Sequence, residues 1–102
     1  MGKTNPSIDN DKLRISSEIL RALCHPLRMK ILQFIDENEN INVNKIYNTL
    51  KLEQSITSQH LRILRMAGIV ETKREGKFIQ YSIDYSKVAN AVKAIGSFLD
   101  ED

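Results

Sequence analysis

The spacing of the apolar residues changes at Gly68, and this change restricts the folds open to the chain. Before Gly68, apolar side chains recur at intervals of three and four residues, the period of helices that pack by one face. After it, the segment IVETKREGKFIQYSID alternates and is rich in strand-forming residues, around a tight Glu75-Gly76 turn where glycine supplies a positive φ. The sequence therefore predicts helices, then one β-hairpin, and then a last helix in SKVANAVKAIGSFLDED.

Four helices are predicted before the hairpin. The first runs from Asp11 to near His25, because Pro26 disfavours helical geometry in the residue before it. The second begins at Pro26 as PLRMKILQFIDEN. Residues 1–10 are polar and lack periodicity, which predicts a flexible tail before a domain of residues 11–102.

A helix-turn-helix is predicted in the middle of the chain. The short third helix, VNKIYNTLK, has Asn42 or Asn44 as its cap. Lys51 to Gln54 separate it from a fourth helix that begins at Ser55, and a turn of about this length joins the two helices of such a motif. The predicted fold is mainly α with a small β-hairpin, a winged helix-turn-helix of order α-α-α-α-β-β-α.

The fourth helix has two unlike sides. Leu61, Leu64 and Ala67 recur at three-residue steps and, with Thr57, form an inward row. The other side carries short hydrogen-bonding side chains and arginine, where solubility alone would usually provide glutamate and lysine. Glutamine can bridge N6 and N7 of adenine, and arginine can pair with O6 and N7 of guanine, so this side is predicted to face the major groove of DNA. The candidate DNA-binding residues of this helix are Gln54, Ser55, Ser58, Gln59 and Arg62.

Two residues of the fourth helix have ambiguous directions. Ile56 lies one step from the inward row and can contact either thymine methyl groups or the preceding helix; the contact within the protein is the favoured interpretation. His60, on the flank, is interpreted as bonded to a neighbouring acceptor rather than to a base.

The hairpin carries Lys73, Arg74 and Lys77 around its tip. Residues 51–77 hold six basic and three acidic side chains, whereas residues 78–102 hold two and four, so positive charge concentrates on the fourth helix and the hairpin. Such cations bind the phosphates of double-stranded DNA and add affinity rather than base discrimination. The alternative is a solvated hairpin whose charges protect the sheet edges.

One compact domain is expected from 102 residues of which 41% are hydrophobic. No apolar run approaches the roughly 20 residues that cross a bilayer, and the start lacks the apolar stretch of a secretory signal, so a cytoplasmic protein is expected. With Cys24 as the single cysteine, an internal disulfide is excluded. The scarcity of cysteine and histidine, without a Gly-rich phosphate loop or a paired carboxylate, argues against an enzyme, and no cofactor is predicted.

The last helix presents a narrow apolar seam of the kind that one helix offers to another. Its members, at steps of four, three and four residues, are Val88, Val92, Ile95 and Leu99. The seam is interpreted as a contact with a second copy of the chain as well as with its own domain. A helix that only closes the monomer core is the alternative.

Three motifs, in order and at short intervals, resemble the ArsR/SmtB family of winged-helix bacterial repressors. ALCHPLRMKIL is similar to the family's Ala-Leu-x-His-Pro-x-Arg-x-x-Ile-Leu, SQHLRILRMAGIV to its Ser-x-His-Leu-x-x-Leu-x-x-Ala-Gly-Leu-Val, and REGKFIQYSI to its Arg-x-Gly-x-x-x-x-Tyr-x-Leu wing. The resemblance implies a homodimer formed by the first and last helices, which adds Ile15 and Ile19 to the predicted interface. It also implies a repressor that occupies an inverted-repeat operator until an inducer releases it.

The metal ligands often found in that family are not matched. Its Cys-x-Cys pair aligns with Asn42 and Asn44, which cannot supply a thiolate. Its second site, on the last helix, aligns with Asp84, Ser86, Ser97 and Asp100. Two carboxylates without imidazole suit zinc or nickel poorly, so metal sensing is predicted to be absent.

Two other functions stay open from the residues alone. A winged-helix domain can use the same surface to bind protein, although a polar face without aromatic anchors favours DNA. A repressor can also be gated by redox chemistry or an unknown small effector, through Cys24 beside His25 or through a cavity under the terminal helices. For Cys24 itself, a small buried side chain is the favoured interpretation.

Overall fold

Five helices and three short strands form the fold within residues 10–38 and 41–99. The computed structural model describes residues 10–38 and 41–99, without the side chains of residues 95 and 97–99. In chain order the elements are α1 (Asn10–Leu23), α2 (Pro26–Asn38), β1 (Ile41–Asn42), α3 (Val43–Leu50), α4 (Gln54–Met66), β2 (Val70–Glu75), β3 (Phe78–Ile83) and α5 (Tyr85–Leu99). This order confirms the predicted winged helix-turn-helix. Of the predicted tail, Asn10 already belongs to α1, and residues 1–9 lie outside the described residues.

The sheet is antiparallel with the strand order β1-β3-β2, and it corrects two details of the prediction. First, β1 was not predicted: Ile41 pairs with Tyr81 and Asn42 with Gln80, which gives the hairpin a third strand on the domain side. Second, the pairing of Glu75 with Phe78 places the two-residue turn at Gly76 and Lys77 rather than at Glu75 and Gly76. Gly76 has φ +63°, and Lys77 is not among the residues with positive φ, a combination that fits a type II′ turn.

A single apolar core lies between the helices and the inner face of the sheet. Its buried aliphatic members come from every helix and from β1 and β2, so no element stands apart. They are Ile19, Ala22, Ile31, Leu32, Ile35, Ile41, Ile46, Leu61, Leu64, Ile69, Val70 and Ala91. Over the ranges that the structure covers, no helix is long and apolar enough to cross a membrane.

The corner between α1 and α2 is closed by a histidine. The chain leaves α1 at Leu23, and Pro26 occupies the first position of α2, where its missing N–H costs no hydrogen bond. His25 Nδ1 accepts a hydrogen bond from the backbone N–H of Leu27 at 3.2 Å, which satisfies one of the unpaired amides at the start of α2. This hydrogen bond fixes the position of the His25 ring between the two helices.

Gly68 ends α4 and starts the path into the wing. It has φ +80°, its N–H donates to Arg65 O at 2.9 Å, and the N–H of Ile69 donates to Leu64 O at 3.0 Å. These two bonds and the left-handed residue form a Schellman motif, in which glycine avoids the strain that a side chain would suffer. Gly68, the left-handed residue after the C-cap Ala67, therefore ends α4 at the point where the apolar period changes.

We expect Gly68→Ala to lower the free energy of unfolding by about 1–2 kcal/mol, because alanine is strained in the left-handed region. A Cβ at this position would also lie 3.1 Å from Lys87 Cε. Gly96→Ala is the matched control: Gly96 is helical, a Cβ there meets nothing within 4 Å, and alanine should stabilise the helix by about 0.5–1 kcal/mol. Urea unfolding of the two variants measures both; equal effects would contradict the role given to Gly68.

Candidate nucleic-acid interface

Three buried side chains set the rotation of α4 about its own axis. Thr57, Leu61 and Leu64 are all 0% exposed. The Thr57 hydroxyl donates to Glu53 O at 2.9 Å, so the one polar group in this row is satisfied although it is buried. Ala67 and Ile63 pack against the same core and are half-buried. The predicted inward row is therefore observed.

The opposite side of α4 is a row of exposed residues. Ser55, Gln59, Arg62 and Met66 follow one another at steps of four, three and four, so they share one face. Within residues 10–38 and 41–99, the side chains of Ser55, Gln59 and Arg62 make no hydrogen bond or ion pair. Their donors and acceptors are thus available to an external partner. Met66, 73% exposed, extends the row beyond the predicted candidates.

The turn before α4 differs by one residue from the prediction. Lys51 to Glu53 form it, because Gln54 is the first residue of the helix; Gln54 and Ser58 are exposed beside the outward row. Lys51 has φ +58°, and the N–H of Leu52 donates to Tyr47 O at 2.9 Å, which reverses the chain within three residues. The Glu53 side chain makes no capping bond to a described atom, so the first-turn amides of α4 are not occupied by a side-chain cap. Such amides favour a phosphate oxygen.

Asn42 supplies the cap of α3, the first helix of the pair. Its side-chain oxygen accepts from the N–H of Lys45 at 2.9 Å, which decides between the two predicted caps, Asn42 and Asn44. Because Asn42 also belongs to β1, this residue joins the start of the helix-turn-helix to the sheet.

The wing presents its three cations in different directions. Lys73 and Arg74 are exposed neighbours on β2, paired with Gln80 and Ile79, so they lie on opposite faces of the hairpin. Lys77 lies in the turn, with its Nζ 5.9 Å from the centroid of the Phe78 ring. All three predicted wing residues are exposed. Positive charge therefore surrounds the wing tip rather than covering one side of it.

Ile56 is not where the favoured interpretation expected it. It was assigned a contact with the preceding helix, but it is 40% exposed and is not among the residues packed on the core. The cause is the phase of α4: burial of Thr57 turns the preceding residue by about 100° towards solvent. Ile56 therefore belongs to the exposed surface, beside the outward row.

His60 touches the corner of α1 and α2 rather than a hydrogen-bond acceptor. Its ring lies 4.7 Å from that of His25, centroid to centroid, and its Nδ1 is buried without a partner in the part of the chain that the structure describes. The expected acceptor is thus not observed. Burial, with further repulsion from His25 and Arg28, lowers the pKa of His60 below the ordinary value of 6.5. The neutral imidazole is the form that this packing favours.

The residues predicted for redox chemistry and for the dimer interface fall into several environments. Cys24 is exposed, which corrects the interpretation of a buried side chain; it follows the last residue of α1, so no helix carries it inward. Ile19 is 4% exposed in the core of its own chain and has almost no surface left for a partner. Ile15 and Val92 are 47% and 54% exposed, whereas Val88 packs partly against the core. The side chains of Ile95 and Leu99 lie outside the described residues.

The positions aligned with metal ligands have structural roles in this chain. Asn42 caps α3, and Asp84 Oδ1 accepts from Ser86 Oγ at 2.7 Å and from the N–H of Lys87 at 3.1 Å, which caps α5. The bond from Ser86 is the main reason that the pKa of Asp84 lies below its usual range. The side chain of Ser97 and all of Asp100 lie outside the part of the chain that the structure describes. Among those described, no group of three or more His, Cys, Asp or Glu side chains could hold a metal ion.

A polar exposed face on the second helix of a helix-turn-helix, followed by a basic hairpin, defines the class: a winged-helix regulator that binds DNA. We refer to α4 as the recognition helix and to β2 and β3 as the wing.

Comparison with known proteins gives the family. Residues 25–72 match the model of the bacterial regulatory proteins of the arsR family. The chain is 35% identical over 88 residues to the transcriptional repressor PagR of Bacillus anthracis, which covers 86% of this chain and 88% of PagR. It is 32% identical over 90 residues to the transcriptional repressor SmtB of Mycobacterium tuberculosis, covering 88% of this chain and 66% of SmtB. The chain belongs to the ArsR family, as its three motifs predicted.

Solved structures agree with this assignment. The crystal structure of PagR matches with a TM-score of 0.73 at 34% identity, over 85% of this chain and 99% of that one. The crystal structure of NolR from Sinorhizobium fredii matches with a TM-score of 0.71 at 29% identity, over 97% of both chains. Membership of a family of regulators also confirms that the chain is not an enzyme.

The lowered pKa of His60 predicts a pH dependence of stability. The unfolded chain takes up a proton near the ordinary pKa, whereas the folded chain resists it until a lower pH. Above about pH 6.5, His60 is neutral in both states and does not reduce the free energy of unfolding. Below that pH, the unfolded chain is protonated more readily than the folded one, so the free energy of unfolding should fall. His60→Gln removes this titration, so its melting temperature should fall less than that of the wild type between about pH 7.5 and 5. Parallel melting curves for the two proteins would contradict the prediction.

Proposed function

We propose that the chain is a dimeric repressor that binds an inverted-repeat operator in double-stranded DNA and does not respond to metal ions. The observation that carries this proposal is the two-sided recognition helix, with Thr57, Leu61 and Leu64 buried and with Ser55, Gln59 and Arg62 exposed and, among the residues that the structure describes, unpaired. Its similarity to PagR and SmtB, both named transcriptional repressors, supports repression. A regulator of this kind is expected to act in the cytoplasm.

Recognition and affinity would come from different elements. Gln54, Ser55, Ser58, Gln59 and Arg62 are the candidates for contacts with base edges and nearby phosphates. Gln59 and Arg62 can each form two hydrogen bonds with one base, worth about 1–3 kcal/mol of discrimination for a good bidentate pair. Lys73, Arg74 and Lys77 would contact phosphates on either side of the wing tip, which adds salt-dependent affinity without base selection.

The dimer would form through α1 and α5, which pack along each other within one chain. Val92 on α5 and Ile15 on α1 are large apolar residues that the single chain leaves exposed. Burial of such residues by a second copy would remove apolar area from water, the main favourable contribution to association. Val88, Ile95 and Leu99 complete the proposed seam by helical periodicity, and Ile19, 4% exposed in the core of its own chain, would contribute little area to it. A two-fold dimer would set two recognition helices about one helical turn of DNA apart.

The absence of metal response is proposed from donor chemistry. Asparagine at positions 42 and 44 offers no thiolate, and the side-chain oxygens of Asn42 and Asp84 already accept hydrogen bonds from helix amides. Zinc, copper and nickel should therefore leave operator affinity unchanged in gel-shift titrations. Release of the operator by one of these ions would contradict this part of the proposal.

A second candidate is a repressor released by a small apolar effector. The observation that favours it is an open groove of about 640 Å³ between α2 and the start of α5, lined by Met29, Leu32, Ile69, Ile83 and Val88 among others. Gln33, Asp36 and Tyr85 supply polar groups to it, and the Tyr85 hydroxyl donates to Asp36. This composition is typical of small-molecule sites. An apolar ligand that dissociates the operator complex in a fluorescence-anisotropy titration would favour this candidate over an ungated repressor. Redox gating would act instead through Cys24, whose exposed thiol an alkylating reagent can reach.

Arg62→Ala should weaken binding to a selected operator by about 1–3 kcal/mol and binding to random duplex by less, because a base contact is lost. Arg21→Ala is the matched control, since it removes the same charge from an exposed position on α1. Binding is measured by fluorescence anisotropy on both duplexes, after selection of bound fragments from random DNA. Equal losses on operator and random DNA would assign Arg62 to a phosphate. Failure to retain any duplex at low ionic strength would favour a protein-binding module.

Val92→Asp should give monomers, because a carboxylate would have to be buried at the seam. Asn90→Asp introduces the same charge two residues away on α5, at an exposed position that faces about 160° from Val92, and should leave the dimer intact. Size-exclusion chromatography with light scattering gives the mass of both variants, and anisotropy gives their operator affinity. A wild-type mass for Val92→Asp would exclude the proposed seam.

A further inference from the structure

Ile56 differs from the other isoleucines on the central helices. Ile31, Ile35 and Ile46 are fully buried, and Ile63 packs against the core, whereas Ile56 is 40% exposed in the first turn of the recognition helix. Exposing a large aliphatic side chain on an otherwise polar surface gains nothing in the free chain. Ile56 therefore presents apolar area that a contact outside the chain could cover.

The surroundings of Ile56 identify the kind of contact. A helix turns by about 100° per residue, so Ile56 lies about 60° from Gln59 and about 140° from the buried Leu61. Along the helix surface its nearest neighbours are Gln59, one of the proposed base-reading residues, at about 60°, and the half-buried His60 at about 40°. In a helix-turn-helix, the first residues of the second helix are those that reach base edges. Ile56 thus stands at the edge of the surface that would enter the major groove.

The chemistry of the major groove offers one good partner for such a side chain. An aliphatic group can neither donate nor accept a hydrogen bond, so it gains nothing from phosphates or from the polar edges of guanine, adenine and cytosine. The C5 methyl group of thymine is the apolar feature of that groove. A protein partner is less well matched, because the exposed residues of α4 include serine, glutamine and arginine but no Phe, Tyr or Trp of the kind that anchors protein interfaces.

We propose that Ile56 is a specificity-determining residue that packs against a thymine methyl group in each half of the operator. This inference rests on the proposed function and adds to it the identity of one recognised base. Ser55 and Gln59 would flank the contact with hydrogen bonds, so the first turn would read one methyl group and its polar neighbours together. The contact would disfavour cytosine at that position, which carries no methyl group.

The test replaces thymine by deoxyuridine, which removes the methyl group and leaves the base-pairing edge unchanged. The operator is first selected from random duplex DNA with the wild-type protein, and each thymine of a half-site is then replaced in turn in both halves. At one position, the wild type should lose about fourfold in affinity per half-site, the equivalent of the ~0.8 kcal/mol gained by burying one methyl-sized group. Ile56→Ala should bind the thymine operator more weakly than the wild type and should not distinguish thymine from deoxyuridine there.

Two variants control the experiment. Gln59→Ala should weaken binding but keep the preference for thymine at that position, because it leaves Ile56 in place. Ile56→Val should keep part of the preference, and the melting temperature of each Ile56 variant should stay close to that of the wild type, because Ile56 is not among the residues packed against the core. These variants separate a lost methyl contact from a general loss of affinity or stability.

The outcomes separate this inference from the proposed function. If the wild type binds every deoxyuridine-substituted operator as tightly as the unmodified one, or if Ile56→Ala keeps the full preference, the thymine contact is wrong while operator binding stands. If selection retains no duplex, the proposed function fails and the contact fails with it.

Discussion

The burial of one side of the recognition helix is the interaction on which the interface depends. Leu61 and Leu64 supply apolar area, and Thr57 fills the remaining position because its hydroxyl returns a hydrogen bond to Glu53 O at 2.9 Å. A hydroxyl buried without that bond would destabilise the helix in this orientation. Since these three residues fix the rotation of α4, they also decide which side chains reach solvent. Ser55, Gln59 and Arg62 are exposed because of what lies behind them.

Two left-handed residues extend this control to the elements on either side of α4. Lys51, with φ +58°, turns the chain from α3 into α4, and Gly68, with φ +80°, turns it from α4 into the wing. After Gly68 the chain enters the core at once, since Ile69 and Val70 are buried. The root of the wing is thereby attached to the same core as the recognition helix. The exposed wing tip and the outward row of α4 are therefore held by one packed unit, as a joint grip on a duplex requires.

The sequence predicted the features that depend on periodicity and missed those that depend on tertiary context. The helices, the hairpin, the inward row of α4 and the Gly68 cap all follow from repeats or from residue types with local conformational demands. The strand β1 has two residues and exists only through its pairing with β3, so no local pattern indicates it. The direction of Ile56 was open from the sequence, because a residue beside a buried one can also pack on the core, as Ile63 does beside Leu64. The exposure of Cys24 could not have been predicted from the sequence, because it depends on the path of the chain between α1 and Pro26. The burial of Ile19 also depends on tertiary packing. Periodicity alone does not show that this residue packs in the core of its own chain rather than at the proposed dimer seam.

The charged residues that could attract DNA phosphates are largely different from the side chains proposed to recognise bases. The lowered pKa of His60 keeps that ring largely neutral near pH 7, so the flank of α4 that touches His25 adds little charge to the interface. Positive charge comes instead from the exposed Lys51, Arg62 and Arg65 and from the three cations of the wing, in a chain whose formal net charge is only +2. If only a few of these cations contact phosphates, a monomer would have modest non-specific affinity and a shallow salt dependence. Tight binding would then require a second copy to double those contacts, together with base-edge contacts from the outward row. Because a weak general attraction leaves fewer chains bound to unrelated DNA, the proposed base contacts of Gln59, Arg62 and Ile56 would supply a larger share of the operator affinity.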